Sequence, residues 1–229
     1  MSVTQIMADD IRFVIDKLTD INAGKTDSIL AGKLDLEKIG VVGHSLGGAA
    51  AYNLALNDSR IKAAINLDGA VYAIPNANKS NAPFLMLAND ENGIQSIIKG
   101  EPFMLKLEEI RAEDQEAVAS AYGGKEAYMD IYRKQKRAAS GLAETLKAED
   151  SLLVIKGSAH MKFSDIGLFL GLGFRRFIGI NGETSSEECL DIARAVTLNF
   201  FNRHLKDGTK DSLESVFRQY PKLQKAKWS

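Results

Sequence analysis

Ile39-Gly40-Val41-Val42-Gly43-His44-Ser45-Leu46-Gly47-Gly48 is a short apolar, β-branched run that breaks into glycines around one serine. The run suits a buried strand. Glycines suit a turn too tight for a Cβ, with strand and helix passing close together on either side. The alanine-rich residues that follow, 48–56, read as a helix. The stretch therefore predicts strand, sharp turn and helix start, with Ser45 at the apex. Its hydroxyl would stand over a helix N-terminus, where unpaired N–H groups and the positive dipole end suit an oxyanion. The Leu46 N–H is the expected donor.

Gly43-His44-Ser45-Leu46-Gly47 fits G-x-S-x-G, the nucleophile elbow of α/β-hydrolases, and strand-then-helix is the context that motif requires. Downstream, 61–67 reads as a second strand ending at Asp68-Gly69, 83–88 as a third with Asp90 at its carboxyl end, and 151–156 as a fourth ending in Gly157-Ser158-Ala159-His160. Ligands of open α/β sheets bind at the carboxyl ends of strands, so Ser45, Asp68, Asp90 and His160 are expected on one rim. The fold class is α/β, a mostly parallel sheet flanked by helices.

Between the third and fourth strands lies an insertion, about 94–150, rich in Glu, Lys, Ala and Gln. It predicts covering helices over about 103–122 and 125–148, with Gly123-Gly124 between them. Such an insertion could serve as a lid. Its basic cluster, Arg133-Lys134-Gln135-Lys136-Arg137, reads as a solvated helix face. Upstream of the elbow, 8–21 predicts a helix with Ile11, Val14, Ile15, Leu18 and Ile21 on its core face and Asp9 and Asp10 in its first turn. After His160, the apolar segment 166–180, together with Phe163, predicts core packing through Leu168, Phe169, Leu170, Phe174 and Phe177. The capping box Ser185-x-x-Glu188 opens a last long helix with Cys189, Ile192, Ala193, Val196 and Phe200 on one side. A short helical piece near 211–219 and a lysine-rich tail complete the chain, which reads as one domain over 1–229.

Net charge is −1, which argues against a nucleic-acid footprint. No apolar run reaches bilayer-spanning length. Cys189 is the single cysteine, so no internal disulfide or cysteine zinc site is expected, and it reads as a buried structural thiol. No metal or other cofactor is expected.

Acyl transfer by a serine needs a base within hydrogen-bond reach and an acid that orients the base. His160 is the candidate base. His44 lies inside the elbow, its side chain expected to point elsewhere, and His204 falls at a helix C-terminus, where a cation is favoured. Asp68 and Asp90 both satisfy the order Ser, Asp, His of this fold.

Lys38-Ile39, Gly43-His44-Ser45, Gly47-Gly48-Ala49, Leu67-Asp68, Gly157-Ser158-x-His160 and Phe163-x-Asp165 together resemble the platelet-activating-factor acetylhydrolases of the plasma and intracellular type II kind and their bacterial relatives. The resemblance runs from about Leu36 to the end of the last long helix and is weak across 94–150. In that family the acid stands 23 residues beyond the serine, as Asp68 does beyond Ser45, so the resemblance selects Asp68 over Asp90. It implies a metal-independent serine esterase acting on a small-molecule or lipid ester with a short or oxidised acyl group.

A complete hydrolase sheet has several strands before the elbow, and the loop after the third supplies a second oxyanion donor. The 44 residues before Ser45 hold one helix and no convincing strand. The chain is thus expected to be the carboxyl-terminal portion of such a fold, with the elbow strand left as an apolar edge that a second copy could cover as a homodimer. Two alternatives stand beside the esterase reading. One is a catalytically weak remnant acting as a binding or assembly module; the other keeps the triad but takes dienelactone- or polyester-type substrates. Residues 1–7 carry neither a basic nor an apolar signal region. The location is expected to be cytoplasmic if Met1 is the native start and exported if an upstream segment provides a signal.

Overall fold

The computed structural model describes residues 3–71, 80, 82–90, 93–169, 182–207 and 212–228. Its centre is a five-stranded sheet in the order β1-β2-β3-β4-β5. β1 (Ile39–His44), β2 (Ile61–Leu67), β3 (Phe84–Asn89) and β4 (Leu152–Ile155) run parallel, and β5 (Leu223–Lys225) joins β4 antiparallel. This is the expected α/β sheet.

Apart from Lys62, Asn66 and Asn89 the middle strands are apolar, because helices cover both faces. Along β3, Phe84, Met86 and Ala88 face one core while Leu85 and Leu87 face the other. The first core is closed by α1 (Val3–Asn22), α2 (Leu46–Asn57) and α5 (Lys125–Glu149), through Ala8, Ile15, Tyr52, Leu54, Leu142 and Leu146. The second is closed by α7 (Ser186–Leu205) and α8 (Glu214–Gln219), through Cys189, Ile192, Val196 and Val216. Ser185 caps α7 by accepting the Glu188 N–H at 3.1 Å, as the capping box requires. The Glu188 carboxylate turns instead to Lys222 at 2.7 Å. Burial pushes the Cys189 thiol up to about 11, in keeping with a structural thiol.

Several expectations are corrected. α1 begins at Val3, so Asp9 and Asp10 fall beyond its first turn, and Val14 is exposed rather than in the core. No continuous helix spans 103–122. A 3-10 turn (Leu107–Glu109) and α4 (Gln115–Ala121) stand there, because Met104 and Leu107 turn inward onto Ala119 and Tyr128 as a small separate core. The basic cluster of α5 is only partly a solvated face: Lys136 reaches over to Glu101 at 2.9 Å and to the Gly100 carbonyl at 2.8 Å. That pair ties α5 to the loop after α3 (Ile94–Ile98). In the segment after His160, Phe163 is buried, but Leu168 and Phe169 are exposed at the end of α6 (Ile166–Phe169). Leu170, Phe174 and Phe177 lie outside the described residues.

β1 is the edge strand, and among the described residues no strand pairs with its outer side. Val42 is exposed there. Among the described residues no helix is long and apolar enough to cross a membrane.

Candidate active site

β1 delivers Ser45 to the sheet's carboxyl rim in a backbone conformation that residues with a Cβ avoid, φ 57° and ψ −123°. Such a conformation costs about 1–3 kcal/mol and persists only when its surroundings fix it. Here they do. The Ser45 N–H donates to the Leu67 carbonyl at 3.0 Å, and the Ser45 carbonyl accepts from Gly48 and Ala49 at 2.9 and 3.2 Å. A Cβ on Gly43 would strike the Gly47 backbone, and one on Gly48 would strike the Asn66 amide, so the elbow closes only with glycine at both places. Leu46 is the first residue of α2, and its N–H has no acceptor within the helix.

Asp68 also takes positive φ, 56°. Buried Asn66 holds that turn, accepting the Gly69 N–H at 2.7 Å and donating to the Gly69 carbonyl at 2.8 Å. Asn89 then fixes the carboxylate: its N–H reaches Oδ1 at 2.8 Å and its side-chain amide reaches Oδ2 at 2.5 Å. His160 opens a 3-10 turn (His160–Phe163) after β4. Its Nδ1 lies 2.7 Å from Asp68 Oδ2 and its Nε2 3.0 Å from Ser45 Oγ. The Asp68 carboxylate raises the His160 pKa above its ordinary value, and partial burial opposes the shift. Since the carboxylate can only accept, Nδ1 carries the hydrogen and Nε2 is free to accept from Ser45.

The structure thus brings Ser45, His160 and Asp68 into one hydrogen-bonded series and leaves Asp90 out of it. The Asp90 carboxylate accepts the Gly157 N–H at 3.2 Å and pairs with Lys156 at 3.3 Å, tying the end of β3 to the loop after β4. His204 packs on Phe200, with ring centroids 4.5 Å apart. Burial first, and Arg203 second, lower its pKa, so the cation expected at that helix end is disfavoured.

Besides Asn89, three supporting residues escaped the sequence reading. His44 does not point away: its Nε2 donates to the His160 carbonyl at 2.9 Å, and its ring lies 4.7 Å from that of His160 and stacks on Phe163. Burial and the neighbouring His160 lower its pKa, which keeps it a neutral donor. Asn66 was legible only as a polar residue near the end of an apolar strand. Lys162 is buried, and its Nζ donates to the Gly182 and Thr184 carbonyls at 2.7 and 2.5 Å, pinning the turn that carries His160. A lysine between Met161 and Phe163 was the only available signal.

A recess of about 660 Å³ opens beside Ser45 and His160 and runs beneath the insertion. Leu46, Val71, Met86, Ile97, Leu105 and Leu142 form much of its wall. Among the described residues no group of three or more His, Cys, Asp or Glu side chains could hold a metal ion.

Comparison with known proteins agrees with this architecture. The family model for platelet-activating factor acetylhydrolase, isoform II, matches residues 14–221. The platelet-activating factor acetylhydrolase of Cavia porcellus is 23% identical over 176 residues, covering 77% of this chain and 32% of its own length. That of Gallus gallus is 26% identical over 176 residues, covering 77% and 33%. The chain spans about a third of the length of these curated relatives. The structure of a ferulic acid esterase from Streptomyces cinnamoneus superposes with a TM-score of 0.61 at 25% identity, covering 98% of this chain and 55% of that one. The fold is that of an α/β-hydrolase.

Proposed function

We propose the function of this chain on the premise that it belongs to the platelet-activating factor acetylhydrolase, isoform II, family: it hydrolyses carboxylic esters through an acyl-enzyme on Ser45. The observation that carries this reading is the series from Ser45 Oγ to His160 Nε2 at 3.0 Å and from His160 Nδ1 to Asp68 at 2.7 Å. In the first half-reaction Oγ attacks the ester carbonyl carbon while its proton passes to Nε2. Asp68 holds the imidazole in that tautomer and stabilises the imidazolium. The Leu46 N–H donates to the tetrahedral oxyanion. Collapse breaks the bond to the alcohol, which leaves with the proton from Nε2. Water then attacks the acyl-Ser45 carbonyl, gives its proton to Nε2, and the acid departs as Ser45 Oγ takes that proton back. No step calls for a metal.

The relatives' name supports a lipid ester with a short acyl group, and the esterase neighbour's name supports an ester of an aromatic acid. A second reading, a catalytically weak binding module, draws on the outer side of β1, which no strand pairs among the described residues. One experiment separates them: turnover of p-nitrophenyl acetate and butyrate, with intact-mass detection of a fluorophosphonate adduct. Turnover and a single adduct on Ser45 are expected. A folded sample that forms no adduct would overturn the esterase.

The pH profile follows from His160. It acts as a base only when neutral, and Asp68 holds its pKa above 6.5, so kcat/KM should rise with pH and level off only above the ordinary histidine range. A profile already flat at pH 6 would contradict that pairing. His44 is a positioning residue in this scheme. His44→Phe keeps the ring and removes the donor, so kcat should fall about 2- to 10-fold, the worth of one hydrogen bond, with KM little changed. Steady-state kinetics would measure that split.

A further inference from the structure

Asp68 offers its partners two carboxylate oxygens, and the two are used unequally. Its N–H donates to the Leu87 carbonyl at 2.9 Å, so a parallel ladder would next send the Asn89 N–H to the Asp68 carbonyl. The positive φ of Asp68 ends the ladder there, and its side-chain Oδ1 takes that N–H instead, at 2.8 Å. Among the described residues Oδ2 has two donors: the Asn89 side-chain amide at 2.5 Å and His160 Nδ1 at 2.7 Å. The Asp68 side chain is only 8% exposed, so these donors, rather than bulk water, decide how its charge is shared.

The chemistry needs one bond at Oδ2, the one to His160. A second donor on that oxygen draws on the same negative charge: it steadies the carboxylate as an anion and lessens what the oxygen gives to an imidazolium. Resting on the hydrolase reading, we propose that the Asn89 side-chain amide is a positioning residue that acts through Asp68 to moderate its hold on the His160 imidazolium, and so sets the pH at which His160 becomes a base. A base works best when that pH lies near the working pH, and Asp68 bonded to His160 alone would place it higher. The main-chain N–H of Asn89 anchors the carboxylate, and the side-chain amide tunes it. The two roles separate by mutation, because any residue at 89 except proline keeps the anchor. The other charged and titratable groups around His160 have partners of their own. His44 from β1 donates to the His160 carbonyl, and Lys162 in the same turn is held by the Gly182 and Thr184 carbonyls. Asp90 after β3 pairs with Lys156, and Glu101 on the recess wall pairs with Lys136. A change confined to the Asn89 side chain therefore reaches His160 through Oδ2.

The test is Asn89→Leu, which keeps the side chain's size and the main-chain N–H and removes the donor, read by two pH titrations against the unmodified chain. The first is kcat/KM for p-nitrophenyl acetate. The second follows the imidazole nitrogen NMR signals of His160 in protein isotope-labelled at its three histidines, and needs no turnover. With Oδ2 left to His160 alone the imidazolium is held more tightly, so both midpoints should move to higher pH by about 0.5 to 1 pH unit. Below the midpoint kcat/KM should then fall about 3- to 10-fold, and above both midpoints most of that difference should disappear. Asn89→Ser, whose hydroxyl ends one atom short of the amide nitrogen, should move both midpoints the same way, and it decides if Asn89→Leu does not fold. Midpoints that stay in place, whatever the loss in kcat, would make Asn89 a structural support and overturn the proposal. Midpoints that move to lower pH would overturn it too, since the amide would then serve only to keep Asp68 against His160. A shifted NMR midpoint, with no fluorophosphonate adduct on Ser45 in folded unmodified chain, overturns instead the hydrolase reading beneath it.

Discussion

Ser45→Ala is expected to lower ester turnover by about 10⁴- to 10⁶-fold and to abolish the fluorophosphonate adduct. The size of the loss follows from geometry: His160 Nε2 points at Ser45 Oγ, and without that atom the base has only water to activate. The fold should survive the change, because the elbow is held by main-chain bonds from Ser45 to Leu67, Gly48 and Ala49 that alanine keeps. Stability should fall by about 1 kcal/mol, the net worth of one hydrogen bond. Ser45→Gly provides an internal check. Glycine accepts φ 57° without strain, so its melting temperature should equal or exceed that of Ser45→Ala despite the greater chain entropy of glycine. Residual turnover in Ser45→Ala within ten-fold of the unmodified chain would place the nucleophile elsewhere.

Asp68→Asn is expected to cost about 10⁴-fold in kcat at neutral pH, and Asp90→Asn about five-fold or less. Asparagine is the clean replacement at 68 because, like aspartate, it tolerates positive φ. Its amide has one acceptor where the carboxylate had two. With that oxygen at the Oδ1 position, held by the Asn89 backbone N–H, its NH₂ group faces His160 Nδ1. The imidazole must then carry its hydrogen on Nε2, the tautomer that cannot take a proton from Ser45. Asp90→Asn still offers an oxygen to the Gly157 N–H and loses only the partly exposed pair with Lys156. The comparison needs only kcat from the two variants at one pH. Equal losses in both would mean that Asp90 carries a share of the acid's role.

Where the chain's periodicity was strong, the elements were legible. β2 and the α5 helix stand almost where the apolar runs and the Gly123-Gly124 stop place them. The misses share a cause. β5 formed from a lysine-rich tail, because what makes Leu223–Lys225 a strand is main-chain pairing with β4, while Gln224 and Lys225 stay exposed. The stretch 103–122 has helix-forming composition throughout, but burying Met104 and Leu107 against Tyr128 outweighed a continuous helix. His44 sits inside the motif that announces the site, and still its bond to the His160 carbonyl spans 116 positions of sequence.

By itself the sequence determined the strand–turn–helix elbow, the apolar strands that carry candidate groups to one rim, and the order Ser, Asp, His. These follow from residue spacing along a few neighbouring turns, a property the chain carries locally. Which carboxylate meets His160 was decided by the tertiary structure. The pairing of Leu67 with Leu87 sets Asp68 beside Asn89 and its two donors, while the pairing of Asn89 with Ile155 sets Asp90 beside Lys156 and Gly157. Strand register is fixed by packing against helices distant in sequence, and a shift of one residue turns each side chain to the opposite face. Two aspartates that fit the order Ser, Asp, His equally well, and that only the family resemblance told apart, therefore become a buried partner for His160 and a surface tie between two loops.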